Sequence, residues 1–131
     1  MAEYSRSIDI PASADSVFAF VSDVSNFPRY VPTTRRAEAD LGHVRVEGVS
    51  HGERYEDEGH IHVDSERRVM RWGSGASGYR GELLVSEAGS GGAQIEINLH
   101  FSDAAEQAPS PQQVNESLDQ SLERLREELM R

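Results

Sequence analysis

Hydrophobic and polar positions change their period twice along the chain. From Tyr4 to Ile10 they alternate, with Tyr4, Ile8 and Ile10 on one face, which suits a strand with one buried side. Arg6 interrupts that face. Pro11 ends the run. Ser13 then offers a helix N-cap, and Asp15 puts a negative charge in the first turn, where the helix dipole favours it. Val17, Phe18, Phe20, Val21 and Val24 follow at helical spacing. Pro28 breaks that pattern, and Phe27, Tyr30 and Val31 predict a second short helical turn closed by Pro32.

From Thr33 to Asp103 the period is two. Val44 and Val46 alternate. Tyr55, Asp57, Gly59, Ile61 and Val63 share a face opposite Arg54, Glu56, Glu58, His60 and His62. Met70 pairs with Trp72, and Tyr79, Gly81, Leu83 and Val85 form another set. Ile95, Ile97, Leu99 and Phe101 are the cleanest. Turn residues separate these runs at Leu41-Gly42, His51-Gly52, Asp64-Ser65, Gly73 to Gly78 and Gly89 to Gly92. Strands joined this way predict an antiparallel meander with one buried face. The last element is helical. Ser110 is placed to cap, Pro111 to open the first turn and Gln113 to complete a capping box. Val114, Leu118, Leu122, Leu125 and Leu129 make one apolar stripe on a helix about 30 Å long. Residues 104–110 read as a linker.

The N-terminal text sharpens this order. Ile10, Pro11, Val17, Phe18, Asp23, Phe27, Pro28, Tyr30 and Pro32 form a pattern that resembles the START-related SRPBCC superfamily of polyketide cyclases/dehydrases, coenzyme Q-binding and lipid-transfer proteins. The pattern covers residues 8–32, and the element order covers nearly the whole chain. The resemblance implies an α+β helix-grip fold over 1–131, with a seven-stranded antiparallel sheet wrapped around the C-terminal helix and two short helices after the first strand. It also implies a cavity between sheet and helix that takes an apolar or aromatic small molecule. One architecture serves many tasks in that superfamily, so function has to be argued from the site.

Composition narrows the partners. With a formal net charge of −10 and no basic run longer than Arg35-Arg36 or Arg67-Arg68, a nucleic-acid surface is not expected. No apolar stretch is long enough for a membrane-spanning helix. The chain has no cysteine, which removes disulfides, thiolate nucleophiles and cysteine metal sites. The polar start of the sequence does not read as a secretory signal, so a cytoplasmic location is the expectation. No cofactor is implied, and a homodimer through an edge strand stays open.

The predicted ligand-lining set follows from inward parity. It comprises Tyr55, Asp57, Trp72, Tyr79, Leu83 and Ile97, with Phe27 and Tyr30 at the entrance and Ser117 and Ser121 on the helix. Small residues at Gly59, Gly81, Ser117 and Ser121 either leave volume for a ligand or, for the glycines, mark bends in the sheet. Asp57, as an inward carboxylate, needs a partner. Arg71 and Arg80 serve only if the strand register slips. An enzyme in the same cavity would use Asp57, Tyr55 or Tyr79 for acid–base chemistry. A non-enzymatic accessory or assembly protein is the third reading. Glu58, His60 and His62 have chelating spacing, but they fall on the outer face, and no metal is expected there.

Overall fold

The structure is a computed structural model that describes residues 2–31, 34–40, 42–50, 52–74, 79–89, 91–101 and 111–130, with backbone alone at Ala2, Ser50, Tyr55, Asp57, Ser74 and Tyr79. The strands are β1 (Ala2–Ile10), β2 (Thr34–Asp40), β3 (His43–Ser50), β4 (Glu53–Asp64), β5 (Val69–Ser74), β6 (Tyr79–Glu87) and β7 (Ala93–Phe101). The helices are α1 (Ala14–Val21), α2 (Phe27–Tyr30) and α3 (Pro111–Leu129), with a 3-10 turn over Val24–Asn26. The strands form an antiparallel sheet in the order β1-β7-β6-β5-β4-β3-β2. This is the α+β helix-grip arrangement. Ser110, the predicted N-cap of α3, and the linker at 104–110 lie outside the described residues, as does Pro32, while Pro111 opens α3.

Each helix covers a different part of the sheet. α1 packs on β6 and β7, α3 packs against β1 and α2, and α2 also meets β2. The two edge strands are therefore bridged by α3 and α2, which turns an open sheet into a grip. Ser13 caps α1 as expected, its Oγ accepting from the Ser16 amide at 3.2 Å. Asp23 caps the 3-10 turn, accepting from the Ser25 amide at 3.0 Å. The turn between β4 and β5 is clasped to the start of α1 and to the end of β6. Arg68 stands 2.9 Å from Asp15 and 3.6 Å from Glu87, from a left-handed backbone with φ of 55°.

The core collects the inward face of the sheet and the stripe of α3. Val114, Leu118, Leu122 and Leu125 are buried, and Leu129 packs against their edge. The interruption at Arg6 has a partner. Arg6 lies on the inward face opposite Ile97, and its Nε is 3.4 Å from Asp119 Oδ1 on α3. The pair is half exposed, so it contributes orientation more than stability. Val63 departs from its expected burial. It is 39% exposed, because the β3–β4 ladder ends at His43 opposite His60 and no described residue pairs with Val63 on that side.

Tyr30 corrects the expectation of an entrance residue. It is 4% exposed, and its hydroxyl donates to the Val21 carbonyl at 2.9 Å, tying α2 to the end of α1. Burial, and secondarily the charge of Asp23, pushes its phenol well above the ordinary value near 10. The unfolded chain releases this proton first, so the corresponding stability is present below about pH 10 and is lost as pH rises beyond it. Tyr30→Phe is expected to cost about 1–3 kcal/mol in urea unfolding at neutral pH, since it strands the Val21 carbonyl. It should also flatten the loss of stability above pH 10.

Candidate functional site

The register stacks the inward side chains in rows across the sheet. One row runs Ile8, Ile95, Val85, and the next runs Arg6, Ile97, Leu83, Met70, Val63. In these rows Ile95, Val85, Ile97, Leu83 and Met70 are all 5% exposed or less, so the middle of this end is sealed. The following row is Tyr4, Leu99, Gly81, Trp72, Ile61, and beyond it Phe101 lies opposite Ala2 and Tyr79. Here Tyr4, Leu99, Trp72 and Phe101 are only half-buried while still packing on the core. The grip therefore closes at one end and opens at the other, and the open end is walled by large apolar side chains.

Trp72 is held at this end by a glycine. An added Cβ at Gly81 would stand 2.5 Å from Cε2 and Cζ2 of the indole, so the ring rests directly on the β6 backbone. The space that Gly81 leaves is taken by Trp72. Across the opening, Tyr4 and Phe101 meet edge to face, with centroids 6.0 Å apart. On α3, Ser121 is buried at 8% exposure within the apolar stripe, and Ser117 is half-buried one turn before it.

The predicted lining residues separate in the structure. Trp72 belongs to the partly open region, while on α3 Ser117 is half-buried and Ser121 buried. Phe27 is half-buried and packs edge to face on Tyr30 at 5.7 Å, on the α2 side. Leu83 and Ile97 sit one row deeper, in the sealed core. Tyr55, Asp57 and Tyr79 have their backbones opposite Gly48, Val46 and Phe101, and their side chains lie outside the described residues. Tyr4, Leu99 and Phe101 were absent from the predicted set. Their inward parity was visible in the alternation, but their position at the open end depends on the β1–β7 and β6–β7 register.

The polar alternates take the other face. The β4–β5 and β5–β6 registers run without a slip, so Arg71 and Arg80 stand on the outer face and do not turn inward toward Asp57. Arg71 instead meets Glu82, Nε to Oε2 at 3.3 Å. Glu58, His60 and His62 are exposed on that same side, and Glu58 lies 3.8 Å from His43. Among the described residues no three His, Asp or Glu side chains converge as a metal site. Among them, too, no helix is long and apolar enough to cross a membrane.

Comparison with known proteins places this geometry. The family described as polyketide cyclase / dehydrase and lipid transport matches residues 1–130. No curated protein matches the chain. Among solved structures, it is similar to a START superfamily protein from Mycobacterium smegmatis, with a TM-score of 0.79, 14% identity, and coverage of 98% of this chain and 97% of that one. It is also similar to the ZhuI aromatase/cyclase from Streptomyces sp. R1128, with a TM-score of 0.66, 21% identity, and coverage of 95% and 86%. A third similarity is to the di-domain ARO/CYC protein BexL of the BE-7585A biosynthetic pathway, with a TM-score of 0.73 and 19% identity. It covers 98% of this chain and 45% of that one, so the chain spans less than half of BexL. At these identities the likeness is one of fold.

Proposed function

Since the chain belongs to the polyketide cyclase / dehydrase and lipid transport family, we propose that it binds an apolar, partly aromatic small molecule at the open end of the grip. The molecule would be of lipid, quinone or polyketide-like character. The observation that carries this reading is the gradient of burial along the inward face. Leu83, Met70 and Ile95 are at most 1% exposed, whereas Tyr4, Leu99, Trp72 and Phe101 in the next rows keep part of their surface open. Apolar area of this kind is stabilised when a ligand covers it, by about 25 cal/mol for each Å² removed from water. A concave, mostly apolar wall with a few polar groups is the usual form of a small-molecule site. The Ser121 hydroxyl supplies one such group on the helix side.

Native mass spectrometry of the freshly purified chain tests the reading. A bound apolar species that dissociates under activation is the expected result. A clean unliganded mass, together with no uptake of added quinone or fatty acid, would sink it. Ser121→Leu fills the helix side of the site with an apolar side chain. It is expected to lower affinity for an added naphthoquinone by about tenfold, while leaving the unfolding free energy unchanged or raised. Fluorescence titration of the two proteins checks the first part, and urea unfolding the second.

A further inference from the structure

The outer face of the sheet, opposite α3, carries a second concavity of about 570 Å³ that spans β1 to β4. Its walls are two cross-strand rows. Glu3, His100 and Arg80 make the first row, and Ser5, Asn98, Glu82 and Arg71 the second. In the first row the position after Arg80 is Gly73, which carries no side chain, and the row ends at His60.

The charges in this groove are unequally matched. Glu82 is engaged on both oxygens, by Arg71 Nε at 3.3 Å and by Asn98 Nδ2 at 3.2 Å. Glu3 Oε1 lies 3.4 Å from His100 Nδ1, but without hydrogen-bond geometry, and that buried nitrogen has no hydrogen-bond partner. Arg80, exposed in the first row, has no carboxylate partner among the described residues. Glu82 thus has Arg71 beside it and Glu3 the His100 imidazole, while Arg80 has no carboxylate of its own among the described residues. Beside it is the His100 imidazole with its unsatisfied nitrogen, while the Asn98 amide is spent on Glu82 and Glu96 at 3.2 and 3.3 Å.

We propose that this groove is a binding site for an oxyanion group, a carboxylate or phosphate on a small molecule, centred on Arg80 and flanked by His100 and Arg71. A guanidinium presents a planar fork of donors that matches either oxyanion in a bidentate pair. In the second row Arg71 is held through its Nε by Glu82, which leaves the end of its guanidinium to face a ligand. The site is separate from the apolar opening, because the sheet itself divides them. It does not depend on what the grip holds.

The test is a titration of the whole chain at constant ionic strength, with inorganic phosphate and with succinate, followed by amide NMR shifts. Saturable binding below about 10 mM is expected for at least one of them, with shifts centred on Arg80, His100 and Arg71. Saturation by phosphate alone assigns a phosphate group, by succinate alone a carboxylate, and by both a general oxyanion site. Arg80→Ala should weaken binding at least about tenfold, and Arg80→Lys by less, since the point charge remains while the fork is lost. Arg35→Ala, on the exposed side of β2, should leave binding unchanged. No saturation by either anion overturns the proposal. So does an equal loss in the Arg35 and Arg80 variants, which would mean that only overall charge is being read.

Discussion

Leu125→Ala is expected to lower the free energy of unfolding by about 2–5 kcal/mol. Leu125 is fully buried at 0% exposure, in the stripe that α3 presents to the rest of the molecule. Truncation removes three carbons from a fully buried place in the core, with Leu122 a turn away on the same helix. The cavity left behind adds to the lost transfer energy, because α3 is held between β1 and α2 and cannot settle freely into it. Urea unfolding followed by circular dichroism reads the change. Arg124→Ala, on the exposed side of the same helix, should change stability by no more than about 0.5 kcal/mol. Equal losses in the two variants would mean that the stripe is not where α3 docks.

Gly81→Val is the second large effect expected. The indole of Trp72 occupies the place where a side chain at 81 would begin. A valine therefore forces the ring off β6, and overpacking of this kind costs about 1–3 kcal/mol. Trp72 is the one tryptophan in the sequence, so its emission reports the displacement directly. A red shift of the folded protein is expected as the ring moves into water. Trp72→Leu should relieve part of the cost, so the double variant would lose less than the sum of the single ones. Unchanged emission in Gly81→Val would mean that the ring does not rest on Gly81. The same variant should weaken uptake of an apolar ligand, because the displaced ring crosses the opening.

Much of this was legible from the sequence where a local pattern determines the outcome. The leucine stripe of α3 and the Ser13 cap are local signals, and both appear where the spacing puts them. β2 was not separable as a strand. Its alternation is broken by an irregularity between Thr34 and Arg36, which leaves Thr34 and Ala37, three residues apart, as its buried positions. Tyr30 was misplaced for a related reason. Its helical turn and aromatic character were clear, but whether its hydroxyl met water or the end of α1 depended on how two short helices fold back on each other. The open end of the grip and the outer groove were not visible because each is made by register. Tyr4, Trp72 and Leu99 share a row only once four strands are aligned. The same alignment brings Arg80, separated by 20 residues from His100 and by 77 from Glu3, into one line. Alternation tells which face a residue takes, and only pairing tells how far along the grip it stands.

The central claim is that an apolar molecule is held at the open end of the grip, against Trp72. The most direct measurement is an amide and indole NMR titration of the whole chain with 1,4-naphthoquinone. The account predicts saturable shifts of the Trp72 indole N–H, of Leu99 and Phe101, and of Ser121 on the facing helix, with Ile95 and Val85 at the sealed end left in place. Shifts confined to the outer face around Arg80 and His100, or no saturable shift of the indole, would contradict it.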